Sequence, residues 1–417
     1  MQPKIDTMVA WLERRTNTNL SYVIGGGFWL ILARITDLIL TFVLILAFAR
    51  FIPKDIYGTY SYVISIATLL GIFTLSGLNS PLVRSITRCK EGMLLETARL
   101  RITWSLIGSA ASLGIAAWYY SKENTDLAFS FFLVALFLPL FNTLSQLILR
   151  FWQGRQQFRT HAIYRISFLF LTRASFIPVL FFTNNLLYII LTFFLSHAIF
   201  AIILFVLTLR KTQNKEKEKG GTIFGKHLTL MQAAEVVGNN IDKVILWHFL
   251  GAIPVAIYSF AQLPISRIQD LFPIQALALP KLSETDNVNK KGLLTKVAKL
   301  YILVIPVVII LFLIATPLYS LVFPAYTDAI PYFQGLSLTL LFLPFFLLSS
   351  VFIAHMHKRQ LYIITFTNIA FRISLFLALV PLYGIWGIII AMILSRILHA
   401  MLLLFFFVRL KEKTSNP

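Results

Sequence analysis

Charge is what this chain has least of. Only 13% of its 417 residues are charged, against roughly 25% in soluble domains, and just 17 are acidic. No stretch is polar enough to make a soluble domain of any size. A single cysteine, Cys89, excludes an internal disulfide framework and a CxxC redox motif. Nucleotide-binding glycine loops, nucleophile-and-base signatures and clusters with metal-ligand spacing are also missing, so the usual catalytic sites have no footing here. The nearest approach to a metal motif is HMH at 355–357, which sits in a short turn beside Lys358 and Arg359 and reads as loop histidines.

What is present is apolar. Hydrophobic residues make up 58% of the chain, 38 of them phenylalanine, and the mean hydropathy is +0.79. A helix needs about 20 apolar residues to cross a hydrocarbon core. On that measure the spacing predicts twelve spans, near 26–49, 59–80, 99–120, 127–149, 161–182, 186–209, 228–250, 253–279, 298–322, 331–354, 360–381 and 384–408. The seventh and eighth carry the most polar residues. The chain therefore reads as an all-α, multi-pass membrane protein.

The placement of basic residues checks that count, because short cytoplasmic loops carry the positive charge. With the N-terminus inside, 27 lysines and arginines fall in cytoplasmic segments, Arg84, Arg101, Arg150 and Arg155 among them. Three fall outside: Arg50, Lys54 and Lys122. Both termini are then expected in the cytoplasm. The same placement accounts for the net charge of +20 by topology and argues against nucleic-acid binding. AFA at 47–49 resembles a signal-peptidase site, yet the apolar run before it is too long, so the first span reads as uncleaved. The N-terminal MVAWLERR is either an amphipathic surface piece or a tail.

The charge-rich linker KTQNKEKEKGGTIFGK at 211–226 divides the spans six and six. The expected organisation is a cytoplasmic segment 1–25, an N-terminal bundle 26–210, the linker, a C-terminal bundle 227–408 and a cytoplasmic tail 409–417. An even number of spans per half permits parallel repeats related by an axis along the membrane normal. A faint internal match agrees. FIPKDIYGTYSYVIS at 51–65 resembles LGAIPVAIYSFAQLPIS at 250–266, pairing Ile56 and Tyr57 with Ile257 and Tyr258, and Pro81 and Pro280 fall at nearly the same offset.

LAFARFIPKDIYGTYSYVISI, followed by LSGLNSPLVRSI, resembles the polysaccharide-transport family of the multidrug/oligosaccharidyl-lipid/polysaccharide exporter superfamily. FLGAIPVAIYSFAQLPI in the second half is similar to that family's seventh-to-eighth span hairpin. The resemblance covers the whole layout, through degenerate motifs of small and aromatic residues. It implies two six-helix bundles related by a pseudo-twofold axis around a central cavity. It also implies a bacterial inner-membrane flippase that moves an undecaprenyl-diphosphate-linked oligosaccharide outward by alternating access, for O-antigen or a similar surface polysaccharide. A polysaccharide polymerase and chain-length machinery would be its partners. The alternatives are a cation-coupled multidrug exporter of the same superfamily and a membrane glycan polymerase or ligase, the latter disfavoured by the short outside loops.

Ionisable residues inside spans usually face a bundle interior or a water-filled cavity. Seven cations, Arg34, Arg165, Arg173, Lys243, Arg267, Arg372 and Arg396, stand against four carboxylates, Asp37, Glu235, Asp242 and Asp270. This excess suits an anion, and arginine's planar fork matches the oxygens of a diphosphate. For each there is a plainer reading: Arg34 with Asp37, and Arg267 with Asp270, could simply neutralise one another. The carboxylates are the candidates for coupling to a proton or sodium gradient; no other cofactor is expected. Gln232, Glu235, Asn239 and Asp242 recur on one face of span seven. With Asn142, Gln146, Gln262 and Asn368, the amides of that face are candidate glycan contacts, and interhelical hydrogen bonding is the competing role.

Overall fold

The computed structural model describes residues 20–218, 221–272, 274, 278, 282, 290–355 and 357–410. The MVAWLERR segment, Pro273, Pro280 and residues 411–417 lie outside the described residues. Among those described the chain is all-helical. In order the helices are α1 (Leu20–Phe51), α2 (Lys54–Leu70), α3 (Asn79–Thr87), α4 (Met93–Ser121), α5 (Thr125–Phe137), α6 (Thr143–Gly154), α7 (Phe158–Phe182), α8 (Leu186–Leu209), α9 (Gly221–Leu250), α10 (Ala252–Leu271), α11 (Lys290–Val322), α12 (Ile330–Ser337), α13 (Phe346–Ala354), α14 (Lys358–Tyr383) and α15 (Ile385–Arg409).

Their ends follow from local chemistry. Asn124 caps α5 by accepting from the Leu127 N–H at 3.1 Å, and Asn185 caps α8 by accepting from Leu187 at 2.9 Å. Gly251, at φ +79°, supplies the left-handed residue that lets α9 end and α10 begin with almost no loop. Three predicted spans are interrupted. Span two is α2 and α3 joined by 3₁₀ turns through Leu75, at φ 51°; span four is α5 and α6 joined through Asn142, at φ 55°. Span ten runs from a 3₁₀ turn at Pro324–Ala329 through α12, a 3₁₀ stretch at Leu338–Phe345 and α13.

Among the described residues nine helical stretches are long and apolar enough to cross a membrane. The three other predicted spans are helical too: the interrupted span four, and α9 and α10, whose polar residues dilute their hydropathy. Large apolar side chains point outward along these helices; on α11, Ile302 is 76% and Leu313 71% exposed. Such a face would aggregate in water and is at home in lipid. Because lipid tails are as apolar as leucine, the buried core contributes mainly close packing rather than transfer from water.

Two compact units form, and they do not follow chain order throughout. The first takes the chain up to Phe48 and Leu70–Leu230; the second takes Ala49–Leu69 and everything from Met231 on. In the first unit α4 runs along α5, α3 along α6 and α7 along α8, over a core that includes Leu82, Leu94, Leu147, Phe151 and Trp152. The first turns of α9 join it, with Thr229 Oγ1 accepting from the Gly77 N–H at 3.1 Å. Residues 211–218 are tied to the same unit. Arg155 donates to both oxygens of Glu91 at 2.7 and 2.8 Å, and Gln213 N–H to Glu91 at 2.6 Å, while Ser85 and Arg88 donate to Glu218. Burial pushes the Glu91 carboxyl up, but the hydrogen bonds and charge of Arg155 and the Gln213 N–H outweigh it, so Glu91 sits below the ordinary carboxylate value.

In the second unit α14 and α15 pack as a hairpin, α11 lies against α12, and Leu348, Phe352, Ile364 and Phe407 share a core. The first part of span two is built into it. A side chain on Gly58 would collide with the Ala252 carbonyl, so glycine is what allows α2 to approach α10 backbone to backbone. Tyr57 lies 4.8 Å from the Phe260 ring, and Phe260 stacks on Tyr326 at 3.7 Å. Tyr62 stacks on Trp247 at 4.5 Å. Hydropathy predicts α2 as a span but carries no information on which neighbours bury it.

Candidate functional site

Each unit encloses an ion whose hydrogen-bond partners are neutral. In the first it is Arg101, on α4, which is 0% exposed. Its Nε donates to the Thr74 carbonyl at 2.7 Å, where span two breaks and leaves that oxygen without a helical partner. Nη1 donates to Asn79 Oδ1 at 2.9 Å, and Nη2 to Gln146 Oε1 at 3.2 Å and Thr74 Oγ1 at 3.4 Å. Asn79 Nδ2 donates to the same Gln146 oxygen at 3.0 Å. Every partner is neutral. The sequence had placed Arg101 among the cytoplasmic loop cations, because it lies only two turns inside a helix entered through basic residues. The structure buries it between the breaks of spans two and four instead. A signal was available: no acidic residue follows Glu96 in α4, while polar amides occur in the two neighbouring spans.

Around this centre the first unit gathers more positive charge. Arg150, exposed one turn along α6 from Gln146, lies within electrostatic range of Arg101 and Arg165. His161 lies near Arg165 and Arg150 as well. Asp37 pairs with Arg165 at 2.9 Å and accepts from Thr41 at 3.3 Å. Asp37, for which pairing with Arg34 is one reading of the sequence, contacts α7, the short carboxylate of α1 being met by a long guanidinium. Arg34 is exposed, and Arg173 is half-buried on α7 within range of His197. Asn142 is exposed at the helix break.

In the second unit the enclosed ion is Asp242 on α9, 2% exposed. Tyr258 donates its hydroxyl to Oδ2 at 2.6 Å, Gln262 donates to the same oxygen at 3.0 Å, and the Lys243 N–H donates to Oδ1 at 2.8 Å. The Gln262 amide also donates to the Tyr258 oxygen at 3.0 Å, closing a triangle. Tyr258, 0% exposed, is a residue that sequence reasoning missed as polar, since AIYSF reads as a buried aromatic stretch. Arg372, on α14, lies within electrostatic range of Asp242 and Tyr258, and its Nε is buried with no hydrogen-bond partner among the described residues. Gly238 makes room for it, since a side chain there would run into Arg372 Nη2. Asn368 Oδ1, one turn away on α14, is likewise buried without a partner among the described residues.

The predicted stripe on α9 is divided. Glu235 and Asn239 are exposed and Gln232 half-buried, whereas Asp242 on the same face is covered by Tyr258 and Gln262 of α10. Gln262 is thus engaged within the unit. Arg267 and Asp270 pair with each other at 3.6 Å on an exposed face. Lys243 is half-buried beside Asp242, and Arg396 lies over the Phe346 ring at 5.6 Å. Among the described residues no group of three or more His, Cys, Asp or Glu could hold a metal ion.

What the arrangement can do chemically is bind anions. In the first unit Asp37 contacts one arginine and further guanidiniums stand nearby, whereas Asp242 in the second is met by neutral donors; a guanidinium offers only donors. Residues 23–286 match the polysaccharide biosynthesis protein family. No curated protein matches the chain by sequence. Among solved structures it is similar to the lipid II flippase MurJ in an inward closed conformation, at 14% identity and a TM-score of 0.67, covering 93% of this chain and 88% of that one. An inward-facing multidrug resistance MATE transporter of the MOP superfamily is similar at 15% identity and a TM-score of 0.66, over 91% of this chain and 96% of its own. A MOP superfamily transporter from Pyrococcus furiosus, whose report describes a binding pocket of reversed polarity, is similar at 16% identity and a TM-score of 0.54, over 93% and 94%. Likeness at these identities shows a shared fold.

Proposed function

The chain belongs to the polysaccharide biosynthesis protein family, and from that premise we propose that it is a flippase rather than an enzyme. It moves an undecaprenyl-diphosphate-linked oligosaccharide across the bacterial inner membrane by alternating access, in the synthesis of a surface polysaccharide. The observation that carries the reading is the cluster of cations around Arg101 in the first unit: Arg101, Arg150 and Arg165, with Asp37 as the carboxylate in contact with one of them. A diphosphate is the part of such a substrate that answers an arginine-rich surface, through paired charge-assisted hydrogen bonds. The fold is shared with a protein described as a lipid II flippase, which supports a lipid-linked substrate. It is shared to a similar degree with a multidrug transporter, but a cationic drug is repelled by this charge distribution. In the same reading a proton or sodium gradient would act at Asp242, the carboxylate that accepts from neutral donors rather than from an arginine in contact.

The test is transport by the purified full chain in vesicles, with a fluorescent undecaprenyl-diphosphate-linked oligosaccharide in both leaflets and a membrane-impermeant quencher outside. The expected result is rapid exchange between leaflets, slowed at least tenfold in a double variant with Arg150→Ala and Arg165→Ala. No exchange by the unaltered protein, together with uptake of a cationic drug, would replace the reading by that of a multidrug exporter.

A further inference from the structure

An amide side chain has two ends, and which one faces outward decides whether it offers a donor or an acceptor. Gln146 has no freedom in the matter. Its oxygen accepts from Arg101 Nη2 at 3.2 Å and from Asn79 Nδ2 at 3.0 Å. Were the amide reversed, its N–H₂ would face a guanidinium, which has five donors and no acceptor, and a second amide nitrogen. The nitrogen end therefore points away from Arg101. Gln146 is half-buried, and its Nε2 makes no hydrogen bond within the described residues and is not sealed from the surface.

One turn along, the exposed guanidinium of Arg150 lies on the same face of α6, since residues four apart on a helix are neighbours. It donates to Gln153 at 2.7 Å and keeps further N–H groups. The face formed by Gln146 and Arg150 offers donors and no acceptor. A second observation concerns the choice of residue type. A carboxylate at 79 or 146 would compensate the buried Arg101 far better than an amide, because an unpaired buried ion is costly. Amides at both positions leave its positive charge uncancelled beside this face.

We propose that Arg101 is a positioning residue: by holding the oxygens of Asn79 and Gln146, it turns Gln146 Nε2 outward, so that α6 presents a donor-only face, Gln146 and Arg150, to phosphate oxygens of the substrate. The proposal rests on the flippase reading for the identity of that substrate. Arg101 itself touches no ligand. Its role is to fix the polarity of a neighbour and to add long-range positive potential.

The test measures binding of undecaprenyl diphosphate to the detergent-purified full chain, beside its thermal melting. Gln146→Glu keeps an acceptor for Arg101 and forms an ion pair with it, but replaces the outward donors by an acceptor. Gln146→Ala removes the donors without adding charge. The expected outcome is a melting temperature held or raised in Gln146→Glu with affinity lowered more than tenfold, and affinity lowered about tenfold in Gln146→Ala, the scale of a hydrogen bond to a charged group. If Gln146→Glu does not fold, Gln146→Ala decides alone. Wild-type affinity in Gln146→Ala would overturn the proposal and leave Arg101 as a bolt between helices. An unaltered protein that transports the lipid-linked glycan while Gln146→Ala binds normally refutes this proposal only. One that binds undecaprenyl diphosphate without moving the glycan refutes the flippase reading only, and one that does not bind it refutes both.

Discussion

In the first unit the enclosed ion is a cation, Arg101, surrounded by carbonyl, hydroxyl and amide oxygens; in the second it is an anion, Asp242, surrounded by a phenol, an amide and a backbone N–H. Each ion is solvated by neutral dipoles instead of an opposite charge in contact. That choice is expensive in an apolar interior, where an isolated ion carries several kcal/mol of desolvation, and it leaves a net field behind. The two centres differ in what they turn outward. Arg101 consumes oxygens and leaves a donor exposed, whereas Asp242 consumes donors, and the surplus cations near it, Arg372 and Lys243, are themselves buried or half-buried. In the proposed reading the first centre is the one that faces an anion, whereas the cations nearest Asp242 are withdrawn from the surface.

The comparison breaks most sharply at Arg101. Arg101→Met removes the donors to the Thr74 carbonyl and to Asn79 Oδ1, and one of the two donors to Gln146 Oε1, leaving enclosed oxygens unsatisfied at about 1–3 kcal/mol each. We expect the largest loss of stability here, about 3 kcal/mol or more, read as a lower melting temperature and reduced membrane abundance. Adding Asn79→Leu and Gln146→Leu should recover part of the stability, since removing both amide partners is milder than leaving them unpaired, while the Thr74 carbonyl stays without its donor; it should not recover transport.

Tyr258→Phe is the matching test in the second unit, and a smaller one. It takes one donor from Asp242 and leaves Gln262 and the Lys243 N–H in place. A hydrogen bond to a charged group is worth about 1.5–3 kcal/mol, so the expected cost is about 2 kcal/mol in the same melting experiment. A cost equal to that of Arg101→Met would show that the two centres bear equal strain and would erase the distinction drawn between them.

Much of this was legible in the sequence, and what was not has definite physical reasons. The helices follow from apolar runs, and Asp242, Arg372 and Arg165 stand out as ions inside them. Hydropathy alone could not show that α2 is shared out to the second unit, because a span buried by one partner reads like a span buried by another. Arg101 was hidden by its nearness to loop cations, although its burial is complete. The spacing offered Arg34 as one partner for Asp37, while the pairing with Arg165 spans 128 residues and is decided by how α1 and α7 lie. The amides were visible, but whether an amide faces a substrate or a neighbour depends on who holds its oxygen. Gln146 and Gln262 look alike in sequence and differ in this respect.

Away from the buried centres, each unit also secures a loop by an ion pair, and the pair in the first unit is the more enclosed. The side chains of Arg155 and Glu91 are 12% and 5% exposed. Glu91 sits below the ordinary carboxylate value because Arg155 and the Gln213 N–H favour its charged form over the opposing effect of burial. A depressed value means that the stabilisation is present above the unfolded-state value and is lost as pH falls through the folded one. The protection of the amides at residues 211–214, taken relative to their intrinsic pH-dependent exchange, should therefore be high and constant from about pH 7 to 5 and should fall below the ordinary carboxylate range, near 4.3. Glu91→Gln should show low protection throughout, with no such transition. A transition that persists in Glu91→Gln would assign the effect to another group.

The pair in the second unit should matter least. Lys54 contacts Asp328 at 2.7 Å and lies 5.5 Å from the Tyr326 ring centre, but its partner's side chain is 63% exposed. Exposed pairs contribute about 0.2–1 kcal/mol, weakened further by salt. Lys54→Met keeps the apolar stem against Tyr326 and removes the charge, so the melting temperature should fall by no more than a degree or two, and less at high ionic strength. The aromatic stack of Tyr57, Phe260 and Tyr326 beneath it should carry the attachment of α2 to the second unit. Phe260→Ala, which empties that stack, should then cost more than Lys54→Met by about 3 kcal/mol. If the lysine proves the costlier of the two, the docking of α2 is electrostatic, and the second unit would depend on an outward-facing charge after all.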